Sequence, residues 1–212
     1  MRILIAGCGD LGSHVAKLLL KTKDNEVFGI RRQPASLREP HGIKWIAADL
    51  TKPVSLDSIP EGITHLIFAA APNERSEDAY RATYLHGLQN VVQASQSPKL
   101  KRVIFISSTA VYGDHGQEWV DETTPTNPSA FNGRILCDAE NWLTAFGSRS
   151  QVSTVSLRLS GIYGPQRNYL LERIRQGLAV APKSNEHWVN RIHIEDAAAA
   201  VVHILEMQTP LP

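Results

Sequence analysis

Residues 2–12 read Arg-Ile-Leu-Ile-Ala-Gly-Cys-Gly-Asp-Leu-Gly, and this stretch constrains the chain more than any other. Ile3 to Ala6 is a short apolar run, the pattern of a strand buried on both faces. It breaks into Gly7-x-Gly9-x-x-Gly12, and a helix follows over 13–21 with Val15, Ala16, Leu18, Leu19 and Leu20 on its apolar side. Glycines at this spacing, between strand and helix, bring backbone against a dinucleotide pyrophosphate. Gly7 permits the tight turn, Gly9 lets the main chain approach the phosphates, and Gly12 lets helix and strand pack closely. The unpaired N–H groups and positive dipole end of the helix, with Asp10 and Leu11 beside them, then face the anion. A glycine-rich turn of purely steric origin is the competing explanation.

The following segments repeat the strand-to-loop pattern. Glu26 to Ile30 reads as a second strand ending in Arg31-Arg32. A dinucleotide fold chooses its cofactor here: an acidic residue binds a ribose 2′-hydroxyl, whereas arginine accommodates a 2′-phosphate. Asp24 and Glu26 precede the strand and are badly placed, so Arg31 and Arg32 favour NADP(H) over NAD(H), unless they are merely a solvated pair. A third strand over 42–47 leads to Ala48-Asp49-Leu50-Thr51, where Asp49 is placed either to accept from an adenine amino group or to cap the next turn. The fourth strand, 64–69, opens into Ala69-Ala70-Ala71-Pro72, small residues over which a cofactor can lie. After a long helix (79–94), the fifth strand (101–106) runs into Ser107-Ser108-Thr109-Ala110-Val111-Tyr112-Gly113, with Ser107 expected on the cofactor side of this strand end. A proline-rich acidic loop (118–128), a helix (132–146), a sixth strand (151–159), a loop (160–165), a helix (169–177) and a last helix reaching about 207 complete the order.

This alternation predicts an α/β fold, a doubly wound parallel sheet of the Rossmann kind, with ligands at the carboxyl ends of its strands. Residues 1–212 are expected to form one NAD(P)-binding domain, with about 161–212 contributing a small or truncated substrate-side region. The 22 basic residues nearly balance 21 acidic ones, so neither nucleic acid nor a membrane surface is expected as partner. No apolar run approaches the roughly 20 residues that span a bilayer, and a core strand at the N-terminus leaves no place for a signal peptide. Cys8 and Cys137 are the only cysteines, which points to no disulfide framework, no metal site and a reducing, cytoplasmic setting.

Several motifs together resemble the extended short-chain dehydrogenase/reductase family, the NAD(P)-dependent epimerases and dehydratases. They are Gly7 to Gly12, Ala48-Asp49-Leu50, Tyr84 to Val91, Ser107 to Gly113, Gly161-Ile162-Tyr163-Gly164-Pro165 and Arg191 to Asp196. The resemblance implies hydride transfer aided by a tyrosine phenolate, a lysine one turn later, and a Ser or Thr that orients the substrate oxygen. Ser108 matches the last of these, with a capping hydroxyl as its alternative role. The tyrosine and lysine belong in the run Asn132-Gly133-Arg134-Ile135-Leu136-Cys137-Asp138-Ala139-Glu140. Asn132 and Leu136 stand in their places, and Tyr84 stands where the family has a helix asparagine. Asn is no general base near neutral pH, and Leu cannot hold a ribose hydroxyl. The pattern is therefore that of an atypical member. Tyr84, Tyr112, Tyr163 and His193 are the weaker candidates for handling the proton.

The resemblance further implies a small, sugar-related substrate and a homodimer through the fourth and fifth helices, although Leu88 and Trp142 there read equally as core. Family members are longer, so the substrate pocket would fall to 113–128, 161–167 and 181–189. Two functions follow: an atypical NAD(P)(H)-dependent oxidoreductase, or a non-catalytic NADP(H)-binding sensor or partner-binding protein.

Overall fold

A computed structural model describes residues 1–34, 40–116, 118–165, 167–180 and 189–208. The connection expected over 34–40 and the wall expected from 181–189 therefore lie largely outside the described residues. Strand β1 (Arg2–Ala6) is the centre of the molecule, with Ile3, Leu4, Ile5 and Ala6 all at 0% exposure. Around it, β2 (Glu26–Arg31), β3 (Lys44–Ala47), β4 (His65–Phe68), β5 (Arg102–Ser108) and β6 (Ser153–Leu159) form a six-stranded sheet in the order β3-β2-β1-β4-β5-β6. Every pair is parallel. The sheet runs outward in opposite directions from β1 and β4, so the turns after these neighbours diverge and open a crevice at their carboxyl ends.

Because successive side chains alternate across a strand, each strand feeds two cores. Leu4, Leu66, Phe68 and Phe105 face α3 (Leu88–Ala94) and α4 (Phe131–Ser150), meeting Leu88, Val91, Leu136 and Leu143. Ile3, Ile5, Ile67 and Ile104 face α1 (Asp10–Leu19) and α6 (Ile194–Glu206), meeting Val15, Leu19, Ala197 and Val201. Each fully buried aliphatic or aromatic side chain contributes about 1.5–3 kcal/mol. Leu88 is fully buried and Trp142 stacks on Phe146 at 5.8 Å, so both belong to the packing of this face.

Three departures from the sequence-based expectations have local causes. Helix α1 begins at Asp10, three residues early, because Gly9 is its N-cap and Ser13 N–H already bonds to Gly9 O at 2.9 Å. The helix expected over 79–94 is α2 (Glu77–Tyr80), a π-helical stretch (Arg81–Gly87) and α3 in series. The loop expected at 160–165 and the entry to the last helix at 190–193 pair instead, as β7 (Gly161–Tyr163) and β8 (Arg191–His193), a separate parallel ribbon flanking α5 (Tyr169–Arg175). Strands of three residues are too short to display a two-residue period. Among the described residues, no helix is long and apolar enough to cross a membrane, and no cluster of His, Cys, Asp and Glu could hold a metal.

Candidate functional site

A cavity of about 540 Å³ lies at the carboxyl ends of β1 to β4, within the usual range for small-molecule sites. The turn after β1 supplies Gly7, Gly9, Asp10 and Leu11; the end of β2 supplies Ile30, Arg31 and Arg32. Ala48 to Thr51 follow from β3, and Ala69, Ala70, Ala71, Asn73 and Glu74 from β4. Ala79, Ala82 and Thr83 of the next helix and Arg167 complete the wall.

The glycines differ in what they permit. Gly7 has φ +76°, and a Cβ there would stand 2.3 Å from Ala70 Cα, so only glycine lets the turns after β1 and β4 touch. A Cβ on Gly9 would meet nothing closer than Gly7 O at 3.8 Å, which leaves its backbone open to a ligand. Gly12 lies behind the turn, off the cavity wall, where a Cβ would press on Ile5 Cγ2 at 3.0 Å. Cys8 is fully buried; burial pushes its thiol up to about 11, against the opposing charge of Arg31 and a hydrogen bond from Ser13. It is a packing residue.

Charge is unevenly placed around this cavity. Arg31 and Arg32 line it, and Arg32 Nη2 donates to Asn73 Oδ1 at 2.6 Å, bridging the ends of β2 and β4. Glu26, at the opposite end of β2, pairs with Arg2 and Lys44 and is remote from the cleft. Asp49 Oδ1 accepts from Thr51 N–H at 3.0 Å and Thr51 Oγ1 at 2.8 Å, so the capping role is occupied by one carboxylate oxygen. Burial raises the Asp49 pKa, but the Thr51 hydrogen bonds and the charges of Lys52 and Arg32 outweigh it and hold the carboxyl below its usual range. Asp49 thus lines the cavity as an ionised carboxylate.

The residues singled out beyond β5 gather elsewhere. Ser107 Oγ donates to Glu140 Oε1 at 2.5 Å in a buried site, and Ser108 Oγ accepts from Ala110 N–H at 3.2 Å, capping the short turn that follows. Neither lines the cavity. Leu136 is 3% exposed and packs in the core. Asn132, in the first turn of α4, has its Oδ1 buried without a hydrogen-bond partner among the described residues. Tyr84 packs edge-on against Phe105 at 6.2 Å, and burial pushes its phenol up to about 12. Tyr112 Oη donates to Asp121 O at 2.8 Å and accepts from Arg158 Nη1 at 3.0 Å. Tyr163 is half exposed and meets the His193 ring edge-on at 5.2 Å, while His193 Nδ1 accepts from Glu195 N–H and caps α6.

Two features escaped sequence reasoning. Arg167 donates from Nε to Asp10 Oδ2 at 2.6 Å, across 157 positions. Arg158 makes a two-pronged bond to Glu140, Nη2 to Oε2 at 2.7 Å and Nε to Oε1 at 3.2 Å, and lies 4.9 Å over the Tyr112 ring. A lone arginine between Leu157 and Leu159 is the one local sign of this network.

Comparison with known proteins places the chain. Residues 3–211 match the NAD dependent epimerase/dehydratase family, and the chain belongs to that family. A solved structure from Methylobacillus flagellatus, assigned as an NAD-dependent epimerase/dehydratase, is 36% identical with a TM-score of 0.78, covering 97% of this chain and 70% of that one. UDP-glucuronic acid 4-epimerase from Bacillus cereus, solved with UDP-glucuronic acid and NAD, superposes with a TM-score of 0.85 at 23% identity over 99% of this chain and 74% of that one, a likeness of fold. Protein YeeZ of Escherichia coli (strain K12) is 38% identical over 126 residues, 58% of this chain and 42% of that protein. The uncharacterized UDP-glucose epimerase YtcB of Bacillus subtilis (strain 168) is 28% identical over 79% of this chain and 58% of its own length. The chain thus spans about half the length of these curated relatives.

Proposed function

We propose that the strand-end cleft holds NADP(H), with NAD(H) as the alternative, and that the chain acts as an atypical epimerase/dehydratase-type oxidoreductase on a small, sugar-related substrate. The observation that carries the binding is the convergence of four strand ends on one cavity, with an open glycine turn at one side and two arginines at another. Gly7, Gly9, Asp10 and Leu11 take the pyrophosphate side, and Gly12 keeps α1 close behind them. Arg31 and Arg32 take the 2′-phosphate through charge-assisted hydrogen bonds, Asp49 and Leu50 the adenine, and Ala69, Ala70 and Ala71 the floor. Ser107, bonded to Glu140, has a supporting place beneath the adjoining strand end. The substrate class rests on relatives named for UDP-sugar epimerisation. Residues 1–212 act as one unit with a partial substrate side from 161 onward, in a cytoplasmic setting.

Bound, the dinucleotide supplies a hydride donor or acceptor. Ser108 accepts from Ala110 N–H and keeps its own O–H to donate to a substrate oxygen. With Asn132 and Leu136 at the family's Tyr and Lys positions, the proton falls to Tyr163 or His193, because Tyr84 is buried and the Tyr112 phenol is already bonded. A second reading, a non-catalytic NADP(H) sensor or partner-binding protein, is favoured by one observation: no Tyr, Lys or His is found among the described residues lining the cleft.

Calorimetry with NADPH and NADH, then a screen of carbonyl compounds and sugar nucleotides at saturating cofactor, decides between them. Tighter NADPH binding with turnover is expected. Tighter NADH binding removes the assignment of Arg31 and Arg32, and NADPH binding without any turnover leaves the sensor.

A further inference from the structure

Asp10 is an unusual residue for a phosphate site. It occupies the first position of α1, between Gly9 and Gly12, so its carboxylate adds negative charge beside the helix N-terminus that attracts an anion. A second anion placed beside it is repelled. Arg167 answers that charge. It arrives from the loop between β7 and α5, where its N–H bonds to Gly164 O at 3.0 Å. That turn is fixed against α6: Gly164 has φ +146°, and a Cβ there would stand 2.8 Å from Ile194 Cγ2. Arg167 Nε donates to Asp10 Oδ2 at 2.6 Å, with both side chains about one-third exposed (34% and 32%). Asp10 Oδ1 lies 3.6 Å from His14 Nδ1 on the other side.

The guanidinium is held through Nε alone. Neither Nη group has a hydrogen-bond partner among the described residues, and Arg167 is part of the cavity wall. A planar fork with Nε anchored and both Nη groups left over matches a phosphate, which takes parallel N–H bonds from arginine. Arg167 reaches the turn from the loop after β7, a strand of the separate β7–β8 ribbon and not of the main sheet.

We propose that Arg167 is a pyrophosphate-binding residue, positioned by Asp10, which closes the open side of the glycine turn over the bound dinucleotide. The proposal rests on the dinucleotide reading of the cleft. It also explains the acidic residue in the turn: Asp10 fixes an arginine whose free donors face the phosphates.

The test is calorimetry of the full chain with NADPH and NADH, with adenosine as a competitor that carries no phosphate. Arg167→Gln weakens dinucleotide binding by about tenfold to a hundredfold, the range for losing a charged hydrogen-bond pair. Competition by adenosine changes by less than about twofold, and Arg167→Lys, which keeps the charge without the fork, recovers only part of the loss. The Asp10→Asn background separates direct contact from mere neutralisation: a further loss of at least about threefold on adding Arg167→Gln marks contact with the phosphates. Wild-type affinity in Arg167→Gln, or a loss that vanishes when Asp10 is already replaced, overturns the proposal alone. A wild-type chain that binds neither dinucleotide overturns both the proposal and the reading beneath it.

Discussion

The two halves of the main sheet end their strands in opposite ways. On the β3-β2-β1-β4 side, the strands stop in glycine, alanine and short polar turns, and what stands above them is open space edged by arginine and aspartate. On the β5-β6 side the strand ends are sealed by side chains: Ser107 to Glu140, Glu140 to Arg158, Arg158 to Tyr112, and Tyr112 to the Asp121 carbonyl. The first half is built to admit a ligand backbone-first, and the second to hold its own loop and α4 in register. On the proposed function, binding and chemistry are thus separable. The cleft has an open glycine turn and two arginines, whereas the neighbouring half, where the family resemblance expects proton-handling side chains, holds a core leucine and a closed polar network.

The sharpest way to break this contrast is at Glu140, whose side chain is 8% exposed. Glu140→Ala strands the Arg158 guanidinium and the Ser107 hydroxyl, and costs about 3 kcal/mol, the lower end for breaking a buried pair because Arg158 retains some solvent contact. Urea denaturation should show this loss. Gly7→Ala comes next. It forces a side chain into left-handed backbone 2.3 Å from Ala70 Cα, and should cost roughly 2 kcal/mol and abolish dinucleotide binding. A Gly7→Ala protein that binds NADPH normally would mean that the two turns need not touch.

Arg31→Ala with Arg32→Ala probes cofactor choice. The ratio of NADPH to NADH affinity should fall about tenfold, equivalent to ~1.4 kcal/mol, with NADH affinity nearly unchanged. Smaller again is the effect at His65, at the amino end of β4 and away from the cleft. Burial, then the charges of Arg102 and Lys101, lower its pKa to about 4. The unfolded chain takes up a proton near the usual value of 6.5 while the folded chain resists, so stability is present above that pH and is lost as pH falls toward 4. His65→Gln should flatten that part of the urea-midpoint profile without altering dinucleotide affinity.

The same contrast explains what was legible in the sequence. The β1 turn is a local pattern, with glycines two and three positions apart after an apolar run, and the strand ends at Arg31, Asp49 and Ala69 to Ala71 carry their own punctuation. Their assembly into one cavity followed from topology. The β7–β8 ribbon was not legible, because three-residue strands some 30 positions apart have no period to show. The π-helical stretch over Arg81–Gly87 leaves the apolar spacing of an ordinary helix intact. Ser108 and His193 were ambiguous for a physical reason: one hydroxyl or imidazole can cap a turn and face a ligand, and both do cap here. The Arg167–Asp10 pair joins residues that no local window contains.

The central claim is that the open half of the sheet binds the dinucleotide and the sealed half does not. Amide hydrogen exchange with and without saturating NADPH tests it directly. The account predicts slowed exchange confined to the segments 7–12, 31–32, 49–51, 69–74 and 167, with 131–150 and 153–159 unchanged. Protection centred on 131–159, or none at the glycine turn, would contradict it.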